Sequence, residues 1–188
     1  LKAFHYKFFM ATPSYGEQLA DIAFKINAIK INPQQPFQWA SGYYMPIYND
    51  NRLLLADPKH RKLVAEGFNY LLGVYQIPID VIAGVATAGI SPATTLADYL
   101  QLPLVYIRDK SKDHGLKNKI EGIPADQDLR GRNVLVIEDL VSTGGSSIKA
   151  VEAVRKANGK TKNLSKQAAQ AVRCYCFDDS NHRSKLNS

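Results

Sequence analysis

Disulfide-forming cysteines and long apolar runs are both scarce in this chain. Of its 188 residues only Cys174 and Cys176 are cysteines, and they flank a single tyrosine, a spacing too short to staple a fold. This favours a reducing, cytoplasmic location, and the lack of an apolar run of membrane-spanning length predicts a soluble chain without a membrane partner. The sequence also lacks the P-loop pattern GxxxxGK[ST], the dinucleotide pattern GxGxxG, and any visible Ser-His-Asp or Cys-His pairing.

A broad basic surface is missing too, although the formal net charge is +7. Residues 1–9 carry +2 and residues 160–188 carry +4, which leaves +1 for residues 10–159. Within that middle stretch the positive charge is concentrated in residues 108–119, which hold five basic and two acidic residues. One basic loop and two basic ends do not form a nucleic-acid face, so we expect no nucleic-acid partner.

The chain does have a 45% apolar composition, which is enough for one domain with a real core. Apolar periodicity predicts helices over 15–29, 58–75, 91–99 and 148–158, and buried strands over 80–84, 104–107 and 134–137. Asp57 and Pro58 suit the cap and the first position of the second helix, and Gly159 is a natural C-cap for the last. This order predicts an α/β fold whose central, mostly parallel sheet is flanked by helices.

The most informative stretch is 134–147, VLVIEDLVSTGGSS. Its apolar run suits a strand buried on both faces, so Glu138 and Asp139 follow at the carboxyl end, where open α/β sheets bind ligands. Two adjacent carboxylates can accept hydrogen bonds from vicinal ribose hydroxyls or face a hydrated Mg²⁺. The loop beyond them offers glycine backbone, hydroxyls and helix N-terminal N–H groups to a phosphate, from Ser142, Thr143, Gly144, Gly145 and Ser146. The structural alternative is an ordinary strand followed by a Ser/Gly turn.

This stretch resembles the phosphoribosyl-pyrophosphate (PRPP) signature of the type I phosphoribosyltransferases: four apolar residues, two acidic ones and a T/S-T-G-G-S turn. The resemblance implies the type I phosphoribosyltransferase fold, with a small N-terminal hood, and PRPP as a substrate. It implies that Glu138 and Asp139 orient the ribose and that residues 142–146 bind the 5′-phosphate. Mg²⁺ is expected as a cofactor bound through PRPP, with Asp139 contacting it through water.

A second strand-glycine-helix turn lies at 84–90, GVATAGI. Its small residues leave room for backbone amides to approach an anion, but a tight structural turn explains the pattern equally well. The turn resembles the pyrophosphate-binding turn of the family, in the G-x-A-T-A-G-I form found in one group of orotate enzymes. The resemblance implies that Thr87, Ala88 and Gly89 contact the pyrophosphate of PRPP.

Residues 108–122 form a basic stretch without apolar periodicity, RDKSKDHGLKNKIEG. It is either a solvated charge run or a loop that folds over a polyanion, neutralises a departing pyrophosphate and excludes water. It resembles the R-x-K-x-K-x-H-G-x-x-N-x-I-E-G catalytic loop of orotate phosphoribosyltransferases. The residues that fall on that motif are Arg108, Lys110, Lys112, His114, Asn118 and Glu121.

The resemblance of this loop implies a homodimer in which the loop reaches the active site of the partner subunit. The residues that it assigns to PRPP are Arg108, Lys110, Lys112 and His114, and those that it assigns to catalysis are Arg108, Lys112, His114 and Asp139. Lys112 is expected to contribute most. His114 is either a proton donor to the departing oxygen or only a phosphate donor.

Residues 37–52 alternate aromatic residues around a Ser-Gly turn, which predicts a hairpin at the rim, with a purely structural hairpin as the alternative. The run resembles the F-x-x-x-S-G-x-x-S-P-I-Y-x-D-N-R segment of the base pocket in orotate phosphoribosyltransferases. Met45 stands where Ser is usual, and Tyr44 stands where many relatives carry a Lys that reaches the ligand. The residues expected to contact orotate are Phe37, Tyr43, Tyr44 and Ser142.

These four motifs indicate an orotate phosphoribosyltransferase that joins orotate to PRPP, giving orotidine 5′-monophosphate and pyrophosphate in pyrimidine biosynthesis. The alternatives are a purine phosphoribosyltransferase, which the basic loop disfavours, and a non-enzymatic PRPP-sensing regulator, which the charge distribution disfavours. We expect one domain over 10–159, with the hood over 15–50 and the core over 51–159. Residues 1–9 are expected to be an extension, and residues 160–188 an atypical basic tail that forms little of the core.

Overall fold

The computed structural model describes residues 14–39, 42–108, 119–124, 127–141 and 144–161. In chain order its elements are α1 (Tyr15–Lys25), β1 (Ile29–Ile31), β2 (Phe37–Gln38), β3 (Tyr44–Met45), β4 (Ile47–Asn49), a 3₁₀ helix (Asn51–Leu55), α2 (Pro58–Val74), β5 (Val81–Val85), α3 (Ile90–Leu100), β6 (Leu104–Ile107), β7 (Ile120–Glu121), β8 (Asn133–Ile137), α4 (Gly145–Lys156) and β9 (Lys160–Thr161). Strands β5 to β9 form one sheet, while β1 pairs with β4 and β2 pairs with β3 in two small antiparallel sheets.

The five-stranded sheet has the order β7-β6-β5-β8-β9 and is parallel except at one edge. The central strand β5 is parallel to both β6 and β8, and β9 is parallel to β8, whereas β7 is antiparallel to β6. All five residues of β5 are buried, as expected of a central strand whose two faces are both covered by helices. The predicted α/β fold with a mostly parallel sheet is therefore confirmed.

Side chains of β5 alternate between two apolar layers, which is the period of two that a strand imposes. Val81, Ala83 and Val85 pack with residues of α4 on one face. Ile82 packs on the other face with residues of α1, α2 and α3. Each fully buried aliphatic side chain stabilises the folded state by about 1.5–3 kcal/mol. Packing in the two layers therefore holds β5 and β8 in place, and with them the carboxyl ends of both strands. None of the described helices is both long and apolar enough to cross a membrane.

Helix α1 packs on the core as predicted but is shorter than predicted. Leu19 is buried against α2. The helix ends at Lys25 rather than at Ile29, because Asn27 adopts a left-handed conformation with φ 58° and the chain turns back. Ile29 instead begins β1, which pairs with β4. The apolar spacing that suggested a longer helix comes partly from this strand.

The last described elements also differ from the prediction. Gly159 is not the C-cap of α4: the cap is Ala157, and Asn158 takes the left-handed conformation with φ 61°. A Cβ on Gly159 would lie 2.7 Å from Val154 Cγ1, so this glycine permits close packing. The chain then continues into β9, and the sheet extends two residues beyond 159. Residues 162–188 lie outside the described residues.

The aromatic segment forms a short hairpin from β2 and β3. The backbone N–H of Trp39 donates to the Tyr43 carbonyl at 2.9 Å. Gly42 has φ 86°, the conformation that the predicted turn requires. Ser41 lies outside the described residues. Strand β4 leaves this hairpin to pair with β1, so residues 37–52 contribute to two small sheets and to the start of the 3₁₀ helix.

Candidate active site

Two loops meet at the carboxyl edge of the central strands. The turn 86–89 follows β5, and Glu138 and Asp139 follow the neighbouring parallel strand β8. A Cβ built on Gly89 would lie 2.7 Å from the carbonyl oxygen of Ile137, the residue before Glu138. The two loops are therefore in contact at the edge where open α/β sheets bind their ligands.

The two helices that begin at this edge differ from the others at their N-termini. Helix α1 is capped by Ser14 in a capping box, and α2 is capped by Asp57, as predicted. The N-cap residues of α3 and α4 are Gly89 and Gly144, neither of which has a capping side chain. The side chains of these two N-cap residues therefore take none of the first-turn N–H groups, and the positive end of each helix dipole suits an anion.

Both residues of the acid pair are partly buried, and the pKa of Glu138 is shifted. Burial raises the pKa of its carboxyl to about 7; a hydrogen bond with Ser146 opposes this, and the neighbouring charge of Asp139 reinforces it. The Oε2 atom of Glu138 is buried, and no described residue donates a hydrogen bond to it. A buried oxygen without a donor is costly, so this atom fits a hydroxyl group of a bound ligand.

A cavity opens beside the acid pair, and sequence reasoning missed most of the polar residues in its lining. It is lined by Asn51, Arg52, Leu54, Leu55, Arg61, Val64, Phe68, Ala88, Pro92, Thr95, Glu138 and Asp139. The Asn51 amide donates from Nδ2 to the Asp139 carbonyl at 2.6 Å. The signal in the sequence was the D-N-R triplet 50–52, which is part of a matched motif but carries no predicted role.

The comparisons with known proteins agree on one family. The model of the phosphoribosyl transferase domain matches residues 54–187. An orotate phosphoribosyltransferase from Listeria monocytogenes is 47% identical over 147 residues, which are 78% of this chain and 68% of that protein. The chain belongs to the orotate phosphoribosyltransferases. The orotate phosphoribosyltransferase of Cytophaga hutchinsonii is 46% identical over 143 residues, 76% of this chain and 66% of the relative.

The solved orotate phosphoribosyltransferase of Aeropyrum pernix has the same fold. It superposes with a TM-score of 0.63 at 29% identity and covers 76% of each chain, which confirms the type I phosphoribosyltransferase fold. The chain spans about two thirds of the length of the curated relatives. The family match reaches into residues 160–187, which we expected to be atypical; the domain boundaries themselves stay predictions.

The basic loop that marks an orotate phosphoribosyltransferase is described only at its base. Arg108 forms an ion pair with Glu121 of β7, with 3.2 Å between Nη1 and Oε1. Its backbone N–H donates to the Lys119 carbonyl at 2.8 Å. Residues 109–118, which include Lys110, Lys112, His114 and Asn118, lie outside the described residues, as do Ser142 and Thr143. The PRPP contacts expected of these residues, apart from Asn118, and of Arg108 stay predictions.

Of the four residues predicted to contact orotate, the structure describes Phe37, Tyr43 and Tyr44. Tyr43 and Tyr44 are 58% and 66% exposed. The Phe37 ring packs on Tyr48, with 5.6 Å between the ring centroids. These three predicted residues are not among the described residues that line the cavity beside Glu138. Their contact with a base stays a prediction.

The acid pair fits a metal ion that arrives with a substrate. Among the described residues, no three His, Cys, Asp or Glu side chains are grouped to hold a metal. Glu138 and Asp139 supply carboxylate oxygens, the ligands that Mg²⁺ prefers, but an octahedral ion needs further oxygens from water or phosphate. The acid pair therefore fits such an ion only together with oxygens from water or a phosphorylated ligand.

Replacing Gly89 with alanine is expected to destabilise the fold and the turn 86–89 together. The new Cβ would lie 2.7 to 3.0 Å from backbone atoms of Ile137 and Val85, which cannot move without displacing two core strands. We expect a loss of about 2–4 kcal/mol in unfolding free energy, measured by chemical denaturation. Gly73→Ala is the control, because that exposed helical position has no atom within 4 Å of the new Cβ. The unfolding free energy of Gly73→Ala should rise by about 0.5–1 kcal/mol. Equal stabilities for the two variants would contradict the close packing around Gly89.

Proposed function

We propose that this protein transfers the phosphoribosyl group of PRPP to orotate, giving orotidine 5′-monophosphate and pyrophosphate in pyrimidine biosynthesis. One observation carries the proposal: the acid pair at the carboxyl end of β8 stands beside the turn 86–89 and two uncapped helix N-termini. That arrangement offers acceptors to ribose hydroxyls and N–H donors to two phosphate groups in one place. The relatives named above, at 46–47% identity, support orotate as the base.

The proposed reaction exchanges one bond at C1 of the ribose. The deprotonated ring nitrogen of orotate forms a bond to C1 while the bond from C1 to the pyrophosphate oxygen breaks, and pyrophosphate leaves with that electron pair. The base is itself the nucleophile, so the protein does not need to supply one. Its task is to align the two substrates and to stabilise positive charge on the sugar and negative charge on the leaving group.

Different parts of the site would carry out different parts of this task. Glu138 Oε2, which is buried without a donor, would accept a hydrogen bond from a ribose hydroxyl, and Asp139 would accept from the neighbouring hydroxyl. The N-terminus of α4, with the loop 142–146, would bind the 5′-phosphate, and the turn 86–89 would bind pyrophosphate. A bound Mg²⁺ would neutralise charge on the pyrophosphate. Its place would be near Asp139, which would contact it through water.

The basic loop 108–119 would complete the site in trans. Its base is fixed by the Arg108–Glu121 ion pair at the edge of the sheet where β7 lies. We propose that Lys110, Lys112 and His114 reach the leaving pyrophosphate of the partner subunit, which makes the homodimer the functional unit. The proposed location is the cytoplasm, in accordance with the two closely spaced cysteines.

The test is pyrophosphate release from PRPP and Mg²⁺ with orotate, adenine or hypoxanthine as the base. We expect release with orotate and none above background with either purine. Release with adenine or hypoxanthine in place of orotate would refute the proposed substrate and leave the phosphoribosyl chemistry in place.

A further inference from the structure

We propose that Asn51 is a positioning residue for the acid pair: its side-chain amide holds the peptide of Asp139 and thereby sets the direction of the ribose-binding carboxylates. The inference rests on the PRPP chemistry proposed above and assigns a role to a residue that does not itself contact the reacting atoms. Its basis is one hydrogen bond, from Asn51 Nδ2 to the Asp139 carbonyl oxygen at 2.6 Å, which joins residues 88 positions apart.

Asp139 lies where the regular sheet no longer fixes the backbone. The pairing of β8 with β5 ends at Ile137, two residues earlier. A rotation of the backbone at Asp139 would redirect the Asp139 carboxylate and would displace the preceding residue, Glu138. A short hydrogen bond at that carbonyl restrains this rotation, as a supporting hydrogen bond does for a metal ligand.

Asn51 is itself held in a fixed position. It begins the 3₁₀ helix 51–55, in which Leu54 is buried at 3% exposure. Asp50 caps this helix, and its backbone N–H donates to the Ala28 carbonyl at 2.8 Å. The Asp50 carboxylate also accepts from the guanidinium of Arg52 at 2.6 and 2.9 Å. The amide donor therefore sits on an anchored turn, which is what a positioning contact requires.

Arg52 gives this turn a second link to the acid pair. Its side chain lines the same cavity as Glu138 and Asp139. The hydrogen bond with Asp50 raises the pKa of Arg52, and the charge of Asp139 adds to this. One tripeptide thus supplies both a hydrogen bond to the backbone of Asp139 and a positive charge near its carboxylate. The hydrogen bond and the nearby charge together are expected to hold the acid pair more firmly than either alone.

The chain contains a matched control at the opposite end of β8. Asn133 also donates from its side-chain amide across the fold, to Asp80 Oδ2 at 2.8 Å over 53 positions. Asn133 begins β8, whereas Asp139 follows its end. Removing either amide deletes the long-range hydrogen bond described for it. The hydrogen bond of Asn51 holds the acid pair, whereas that of Asn133 ties the amino-terminal ends of β5 and β8.

The experiment measures the affinity for PRPP with Mg²⁺ by calorimetry, and the KM for orotate, in wild type, Asn51→Ala, Asn51→Asp and Asn133→Ala. Asn51→Asp keeps the size of the side chain and removes the donor. We expect both Asn51 variants to bind PRPP about ten-fold more weakly, with the orotate KM within about two-fold. Asn133→Ala should keep the wild-type PRPP affinity while losing a similar amount of thermal stability.

Unchanged PRPP affinity in both Asn51 variants would overturn the inference, and so would an equal loss in Asn133→Ala, which would indicate a general structural effect. A wild-type protein that binds PRPP but consumes no orotate would refute the proposed substrate, while the calorimetric comparison would still decide on Asn51.

Discussion

Replacing Lys112 with alanine is expected to lower the turnover rate by about 10²–10³-fold with an unchanged melting temperature. The ammonium group would neutralise charge that develops on pyrophosphate as it leaves, and removing one such preorganised donor typically has an effect of this size. A lysine in a charged run without apolar periodicity contributes little to a core, so stability should not change. Steady-state rates with saturating PRPP and orotate measure the first effect, and thermal unfolding measures the second.

Lys117→Ala is the matched control for this prediction. It removes the same charge from the same basic stretch, but position 117 is not specified by the motif that the loop resembles. We expect its turnover rate to stay within about two- to three-fold of wild type, the change expected from a small shift in local potential. Similar losses in the two variants would show that the loop acts only through its total charge.

The Lys112→Ala variant also tests whether the loop acts in the active site of the partner subunit. Mixing Lys112→Ala protein with Asp139→Asn protein would form heterodimers in which one site carries both substitutions and the other carries neither. With random exchange of subunits in a two-fold dimer, the activity should recover to about a quarter of wild type. A mixture without recovery, in which subunit exchange is confirmed by mass, would show that the loop acts within its own subunit.

Affinity for PRPP is expected to rise steeply with pH up to about 7 and then to level off. Burial raises the pKa of Glu138 to about 7, and only the ionised carboxylate is a full acceptor for a ribose hydroxyl. If binding requires that form, affinity falls about ten-fold for each pH unit below the pKa, or about 100-fold between pH 8 and pH 5. Calorimetry on wild type and Glu138→Gln isolates the effect, because the variant retains the titration of PRPP itself. Parallel pH profiles would contradict the assignment of Glu138 to the ribose.

The stability of the unliganded protein should show the opposite dependence on pH. Because the folded-state pKa of Glu138 lies above the ordinary value of 4.5, the folded state binds the proton more tightly than the unfolded state. The resulting stabilisation is fully present below pH 4.5 and is lost as pH rises through 7. Allowing for partial solvent screening, the loss is about 1–2 kcal/mol. It should appear as a melting temperature that falls for wild type relative to Glu138→Gln between pH 5 and pH 8.

Local sequence patterns predicted the core of the fold and the acid pair because the information is carried by neighbouring residues. The apolar run of β8 and the two carboxylates that follow it are contiguous, and a buried parallel strand must place them at one edge of the sheet. The capping of α2 by Asp57 was predicted for the same reason, since a cap and its helix are adjacent in sequence.

Contacts between distant segments could not be predicted in this way. The hydrogen bond from Asn51 to Asp139 depends on how the N-terminal sheets lie against the core, and no periodicity reports that arrangement. The predicted end of α1 was wrong because Ile29 fits both a helical spacing and a strand. Its pairing with β4 places it in strand β1. Gly159 suited a C-cap by residue type, but its close contact with Val154 is a property of the folded packing.

The most direct measurement is the loss of orotate absorbance in the near ultraviolet when this protein is mixed with PRPP, with and without Mg²⁺. The proposed function predicts consumption of orotate that needs both PRPP and Mg²⁺ and that releases one pyrophosphate for each orotate consumed. No consumption, while calorimetry still detects PRPP binding, would contradict the assignment of orotate as the substrate.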